Sequence, residues 1–307
     1  MIQLKNLTKR YDNVVAVNDL TVDIQPGVVT GFLGPNGSGK STTMRMILGL
    51  DRPTSGSVTI DGKNYADLKF PLREVGALID AKALHPGRSA RNHLLSLAAT
   101  NNIPKKRVDE VLDIVGLSKV ARKRAGDFSL GMGQRLGIAG ALLGDPQILL
   151  FDEPVNGLDP EGIRWVREFF RGLASEGRTV FVSSHLMSEM ALTADDVIVI
   201  GRGKLIRQGK ITDLTESAVG SVLVRSPQAD ALGAALRQAG FQVTADNETS
   251  LTIGGATSEQ VGDVAHEKNI ALHELTPQRA SLEDVFMELT ADSVEYSGSQ
   301  HTTEETK

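Results

Sequence analysis

The sequence predicts an α/β protein: a mostly parallel sheet carrying helices, followed by a small α+β domain. Three observations lead there. Over the first two hundred or so residues, short and nearly all-apolar runs alternate with helical stretches. Those runs lack the polar alternation of a half-exposed strand, so they suit strands buried on both faces. Composition then shifts near Thr215–Val219, and the element order beyond it changes to βαββαβ, the split, ferredoxin-like arrangement.

Each element has its own signal. Residues up to about Ile24 alternate with period two and predict antiparallel strands at an edge. Val28–Leu33 is a strand that runs into a glycine-rich turn, and Ser41–Leu50 is the helix after it. Ser89 to Val120 is helical, with Pro104 able to start a helix and Gly116 to end one. Ile148–Phe151, Thr179–Ser183 and Val197–Ile200 are the further buried strands. The helix Glu161–Ser175 lies between two of them and closes on Gly177, which suits the left-handed C′ position.

The second domain reads as strand Val222–Arg225, helix Ala229–Ala239 ended by Gly240, and strands Phe241–Thr244 and Ser250–Ile253. Helix Glu259–Lys268, strand Ala271–Leu275 and helix Ser281–Leu289 complete it. Ser281 and Asp284 form a capping box for the last helix, whose Leu282, Val285, Phe286 and Leu289 share one face. From Ser297 the tail has nothing to bury and is expected to be disordered.

Composition narrows the function. With 40% apolar and 23% charged residues the chain is globular rather than disordered or fibrous. A formal charge of −5 gives no global attraction for nucleic acid. The basic run Arg122-Lys123-Arg124 has no interleaved aromatics and reads as a solvated face. The absence of cysteine removes disulfides, thiolate metal sites and cysteine nucleophiles. The charged, alternating N-terminus is not a signal peptide, and no apolar run approaches the ~18 residues that span a bilayer.

The chemistry starts at Gly34-Pro35-Asn36-Gly37-Ser38-Gly39-Lys40-Ser41, which matches G-x-x-x-x-G-K-[ST]. It follows a predicted strand and opens a predicted helix, as a phosphate cradle must. Glycines let backbone N–H groups turn in around phosphate oxygens, and the helix start adds its positive dipole end. Lys40 can reach β- and γ-phosphates, and the Ser41 hydroxyl can ligate Mg²⁺. Thr42, next in line, counts with the same nucleotide site. Ile148-Leu149-Leu150-Phe151-Asp152-Glu153 is an apolar strand ending in two carboxylates, and in a parallel sheet such ends open onto the ligand crevice. Asp152 is thus a candidate to hold Mg²⁺, and Glu153 to orient or deprotonate the attacking water. His185, just past the Thr179–Ser183 strand, lies at the same sheet end, where its imidazole could reach a γ-phosphate.

Together these residues resemble the ATP-binding subunit of an ABC transporter, over roughly residues 1–215. The resemblance extends to Phe128-Ser129-Leu130-Gly131-Met132-Gly133-Gln134-Arg135 at the position of the family signature. It also covers Asn156-Gly157-Leu158-Asp159 as the D-loop, Ser183-Ser184-His185 as the switch histidine, and Tyr11 as the aromatic that stacks on adenine. It implies a P-loop NTPase of ABC type with an antiparallel β edge subdomain, a helical subdomain at about 86–145, and a C-terminal accessory domain at 220–290. The accessory region most resembles that of drug- and antibiotic-export subunits. Two departures stand out. Leu130 and Met132 replace the usual glycine and glutamine of the signature, while Ser129 and Gly131 keep the hydroxyl and the close backbone approach that a γ-phosphate needs. Asp80 stands where the family has a glutamine that approaches Mg²⁺ and contacts the membrane subunit.

By this resemblance the chain hydrolyses ATP with Mg²⁺ to power a separate permease, for export of a drug, antibiotic or lipid-like compound. It would sit on the cytoplasmic face of the membrane and pair with a second nucleotide-binding domain, each phosphate loop facing the other's signature. The rival reading is a soluble mechanical ATPase acting on nucleic acid or ribosomes, but no second nucleotide domain, coiled-coil insertion or strongly basic extension is visible. A GTP switch lacks its Asn-Lys-x-Asp motif, and a small-molecule kinase lacks an arginine-rich lid.

Overall fold

The computed structural model describes residues 1–217, 220–278 and 282–290. They fall into two compact units, one built on Met1–Gly209 and one on Lys210–Glu288.

In the first unit, β1 (Ile2–Tyr11) and β2 (Val14–Ile24) pair antiparallel, as their period-two pattern requires. They form a sheet of their own with a later strand rather than the edge of the parallel sheet. β3 (Val29–Leu33) is fully buried and leads through the glycine turn to α1 (Lys40–Ile47). β4 (Ser55–Ile60) returns to complete the three-stranded sheet β2-β1-β4. A short turn of helix, α2 (Pro71–Glu74), precedes β5 (Val75–Leu78). The helical stretch is two helices, α3 (Ala90–Thr100) and α4 (Lys105–Ile114), with Pro104 at the cap of the second and Gly116 at φ +73° beyond it. α5 (Leu130–Leu142) follows, then β6 (Ile148–Asp152), α6 (Pro160–Ser175) and β7 (Thr179–Ser184). α7 (Met187–Thr193), β8 (Asp196–Gly201) and β9 (Lys204–Lys210) close the unit.

The main sheet has the order β5-β6-β7-β3-β8-β9, and its first five strands pair in parallel. Hydrophobic packing fixes the layers. Phe151 of β6 stacks on Phe170 of α6 with centroids 4.3 Å apart, and Phe32 meets Phe181 at 5.0 Å. Burying a phenylalanine contributes about 1.5–3 kcal/mol, so these rings pin β6 and β3 in the sheet that positions the site. α6 begins at Asp159, whose side chain accepts the Gly162 N–H at 2.9 Å, with Pro160 behind it.

The second unit opens with α8 (Ile211–Ser217) and continues β10 (Ser221–Arg225), α9 (Ala229–Gln238), β11 (Gln242–Asn247), β12 (Ser250–Gly254) and α10 (Ser258–Glu267). β13 (Glu274–Gln278) and α11 (Leu282–Thr290) end it. The antiparallel sheet order β11-β12-β10-β13 is the ferredoxin-like one expected. The last strand differs: the sequence suggests Ala271–Leu275, but β13 starts three residues later and carries Pro277 opposite Val222. An edge strand tolerates a proline that a central strand would exclude, so β13 can run past Leu275 through Pro277. α10 has a complete capping box from Thr257 and Gln260. Leu282, Val285 and Phe286 of α11 are buried, as their shared face predicts. Ser281, the side chains of Asp284 and Leu289, residues 218–219 and the tail from Ser297 lie outside the described residues.

Candidate active site

Gly34 to Gly39 form the turn between β3 and α1. Its shape depends on the glycines: Gly39 has φ +103°, and a Cβ there would collide with the Ala16 carbonyl oxygen. Gly37, at φ +80°, sits at the exposed crest beside Asn36 and after the half-buried Pro35. Ser38 is buried and its N–H donates to the Pro35 carbonyl at 3.1 Å, tightening the turn. Lys40, only 6% exposed, folds back into the loop and donates to the Gly34 carbonyl at 2.5 Å and to that of Pro35 at 3.2 Å. Burial pushes its ammonium below the usual lysine value, while the nearby Glu153 and Asp152 carboxylates partly offset this. The loop, the lysine and both carboxylates thus share one electrostatic neighbourhood. Ser41 is exposed and Thr42 half-buried on the first turn of α1.

β6 delivers the carboxylates. Asp152 is in register with Ser183 of β7, so their side chains project to the same face, and the Ser183 hydroxyl donates to Asp152 Oδ1. The same Oγ accepts the Glu153 N–H at 3.0 Å. Glu153 turns the chain with φ +50°, unusual for a residue with a Cβ. Its Oε2 lies 2.8 Å from Nδ1 of His185. An ionised carboxylate only accepts, so Nδ1 is the donor in that pair.

Ser129 is the N-cap of α5 and accepts the Met132 N–H at 3.3 Å. Gly131 packs on the D-loop, where a Cβ would come within 3.2 Å of the Gly157 carbonyl. Leu130, one of the two departures, is 47% exposed and its side chain reaches over Gly157, which has φ +74°. Asp159 serves as the cap of α6. Tyr11 is 44% exposed at the end of β1; Lys9 sits 4.7 Å from its ring centroid, and its hydroxyl donates to Asp51 at 2.9 Å. Arg45 pairs with the same carboxylate at 2.7 Å. Burial, then the Asp51 hydrogen bond, raises the Tyr11 phenol above its ordinary value, and the Arg45 charge partly opposes this. Asp80 lies two residues beyond β5, exposed, its Oδ1 accepting the Lys82 N–H at 2.8 Å in a local turn. Beside it a cleft of about 490 Å³ runs between Ala81, Lys82 and Leu84 and the Phe128–Leu130 segment. Trp165 packs against Phe169, with ring centroids 5.3 Å apart, and has the Arg135 guanidinium 4.8 Å from its ring. Arg122, Lys123 and Arg124 are exposed.

Sequence reasoning named Ser183 and Gln134 only as motif neighbours, without their contacts to Asp152 and Glu153, and missed Asp51. A serine ending an otherwise apolar strand was a signal for the first; the other two depend on contacts across 19 and 40 positions.

Would this donor set suit magnesium? The ion takes oxygen ligands, keeps several waters and needs only one or two carboxylates beside phosphate oxygens. Ser41 offers a hydroxyl, and Asp152 keeps one oxygen beyond the one engaged by Ser183. The set fits.

Known proteins of similar sequence and fold identify the family. The ABC transporter family model matches residues 17–156, and a domain of unknown function matches residues 220–283. A bacitracin transport ATP-binding protein from Bacillus licheniformis is 45% identical over 211 residues, covering 68% of this chain and 69% of that protein. An uncharacterised ABC transporter ATP-binding protein from Bacillus subtilis (strain 168), YhcH, is 35% identical over 96% of this chain and 97% of its own. Among solved structures, a dimeric post-hydrolysis state of the ATP-binding cassette MJ0796 bound to ADP and Pi superposes with a TM-score of 0.64. It is 29% identical and covers 69% of this chain and 99% of that one. No helix among the described residues is long and apolar enough to cross a membrane. The chain therefore belongs to the ABC transporter family, as an ATP-binding subunit that hydrolyses ATP.

Proposed function

We propose that Gly34 to Thr42 hold the nucleotide phosphates, with Lys40 neutralising the β- and γ-groups, and that Tyr11 stacks on adenine. Mg²⁺ would be held by Ser41 and Asp152, while Asp80, the remaining candidate ligand, serves a local turn at the cleft where the permease docks. When bound, the ion neutralises developing charge on the phosphate oxygens. Glu153 accepts the proton of the attacking water, and His185 aims that carboxylate through Nδ1–H. The observation that carries the reading is the Glu153–His185 contact on the sheet end that also holds Lys40.

Two copies, or one copy and a related cassette, sandwich ATP, with Ser129 and Gly131 of each facing the other's nucleotide and Asp159 at the junction. The dimeric MJ0796 cassette supports this arrangement. Relatives named for bacitracin and lantibiotic transport support export of a drug, antibiotic or lipid-like compound. The subunit works at the cytoplasmic membrane face, held by its permease at the cleft beside Asp80. Residues 1–215 form the motor and 220–290 an accessory domain.

The test compares two variants. Lys40→Ala removes a charge-assisted phosphate contact, so ATP binding itself weakens. Glu153→Gln keeps size and hydrogen bonding but loses the base, so ATP still binds while turnover falls about 10²–10⁴-fold. Equal loss of binding in both would refute the assignment.

A further inference from the structure

α5 carries two polar features on one short stretch. Its cap is Ser129, and five residues on, about 7.5 Å along the axis, it buries Gln134 to 5% exposure. Nε2 of Gln134 donates to the Glu153 carbonyl at 3.3 Å, an oxygen that also accepts the Asn156 N–H at 3.3 Å. Oε1 of Gln134 has no hydrogen-bond partner among the described residues. A buried amide with half its capacity unmet is a poor packing residue, since leucine or methionine would fill the volume without desolvating a polar group. Packing alone does not favour glutamine here.

The peptide it touches supplies a reason. Glu153 stands in the left-handed region, which few residues with a Cβ occupy unless their surroundings hold them there. Its N–H is fastened by Ser183 from β7, and its carbonyl by Gln134 from α5. Backbone orientation sets the side chain's starting direction, and the carboxylate then meets His185. The same end of α5 touches two other parts of the site. Gly131 abuts Gly157, and a Cβ on Gly133 would lie 3.5 Å from the Ala81 carbonyl, next to Asp80.

We infer that Gln134 is a positioning residue that holds the Glu153 peptide in its left-handed turn and thereby ties the aim of that carboxylate to the helix beginning at Ser129. The inference rests on the proposed role of Glu153.

Turnover, ATP affinity and melting are measured on the full chain for Gln134→Met, Gln134→Glu, Glu153→Gln and the Gln134→Met/Glu153→Gln double variant. Gln134→Met keeps the shape and removes the donor. It should lower kcat ~10-fold or more, as a misaimed group does, with ATP affinity within about twofold. On the Glu153→Gln background it should change residual turnover by less than about twofold, because the two residues act as a unit. Gln134→Glu donates again only when protonated, so its kcat relative to wild type should rise as pH is lowered. An equal loss on both backgrounds overturns the inference, as does a flat pH ratio for Gln134→Glu. A Gln134→Met protein that melts well below wild type and loses ATP affinity along with turnover overturns it too, since the glutamine would then be structural. Wild-type turnover in Glu153→Gln would instead remove the base assignment, and this inference with it.

Discussion

His185 and Glu153, 32 positions apart in sequence, meet through Nδ1 and Oε2 at 2.8 Å because β6 and β7 run side by side in parallel and end together. The contact leaves the imidazole oriented by the carboxylate and the carboxylate held by the imidazole. His185→Ala should therefore lower kcat by about 10²-fold, in the range of a lost acid–base partner, while leaving equilibrium ATP binding close to wild type. Pre-steady-state and equilibrium binding measurements separate the two effects; a loss confined to ATP affinity would contradict the arrangement.

Nucleotide should drive association. The Ser129 hydroxyl and the Gly131 backbone stand at the start of α5, available to a nucleotide held by another cassette. Glu153→Gln, which traps ATP, should sediment as a dimer with ATP and as a monomer with ADP. Adding Ser129→Ala should weaken the ATP-dependent dimer. The same mass in both nucleotides would count against the sandwich for identical copies.

Tyr11 owes its placement to Asp51, which accepts its hydroxyl at 2.9 Å and pairs with Arg45. Base–aromatic stacking contributes about 1–3 kcal/mol, so Tyr11→Ala should weaken ATP binding about tenfold, and Asp51→Asn by less. The Arg45 hydrogen bond holds the Asp51 carboxyl below its ordinary value, against the effect of burial. A carboxyl lowered by folding contributes stability above its unfolded value, lost as pH falls through the folded one. The stability difference between wild type and Asp51→Asn should thus be present at neutral pH and shrink as pH falls below the ordinary aspartate value. Denaturant melts across pH 2–7 check the sign.

Asp80 has one oxygen engaged by the Lys82 N–H, so its carboxylate already serves a local turn. A magnesium ion offered Ser41, Asp152, phosphate oxygens and water needs no further side chain. Asp80→Ala should accordingly hydrolyse ATP at nearly the wild-type magnesium requirement without a permease, and transport should fall once the permease is present. A shift of about tenfold or more in the magnesium titration of the isolated subunit would make Asp80 a ligand instead.

The accessory unit has its own buried core, including Val222, Val224, Leu232, Leu236 and Ile253. A chain ending at Val219 should remain soluble and bind ATP with affinity within about twofold of the full chain, because none of the phosphate or metal residues proposed above lies beyond His185. Insolubility of that shortened chain would show that residues 220–290 are needed to fold the motor.

Parts whose chemistry is local could be read along the chain. A phosphate loop must be glycine-rich and contiguous, so Gly34 to Ser41 could be read directly; the pair Asp152-Glu153 was legible because an apolar strand ended in charge. The ferredoxin-like order of the second unit followed from period and turn residues, apart from the bounds of β13, which starts three residues later than expected. Other features depend on which strands become neighbours. Nothing along the chain says that β3 sits between β7 and β8, since parallel order is decided by how helices and strands bury one another's apolar faces. Ser183 gains its bonds to Asp152 and Glu153 only through the register of β6 with β7, and Gln134 reaches Glu153 only because α5 passes the end of β6. The reacting groups are written in the sequence, whereas their aim is set by packing, because hydrogen-bond geometry needs positions that only the assembled sheet supplies.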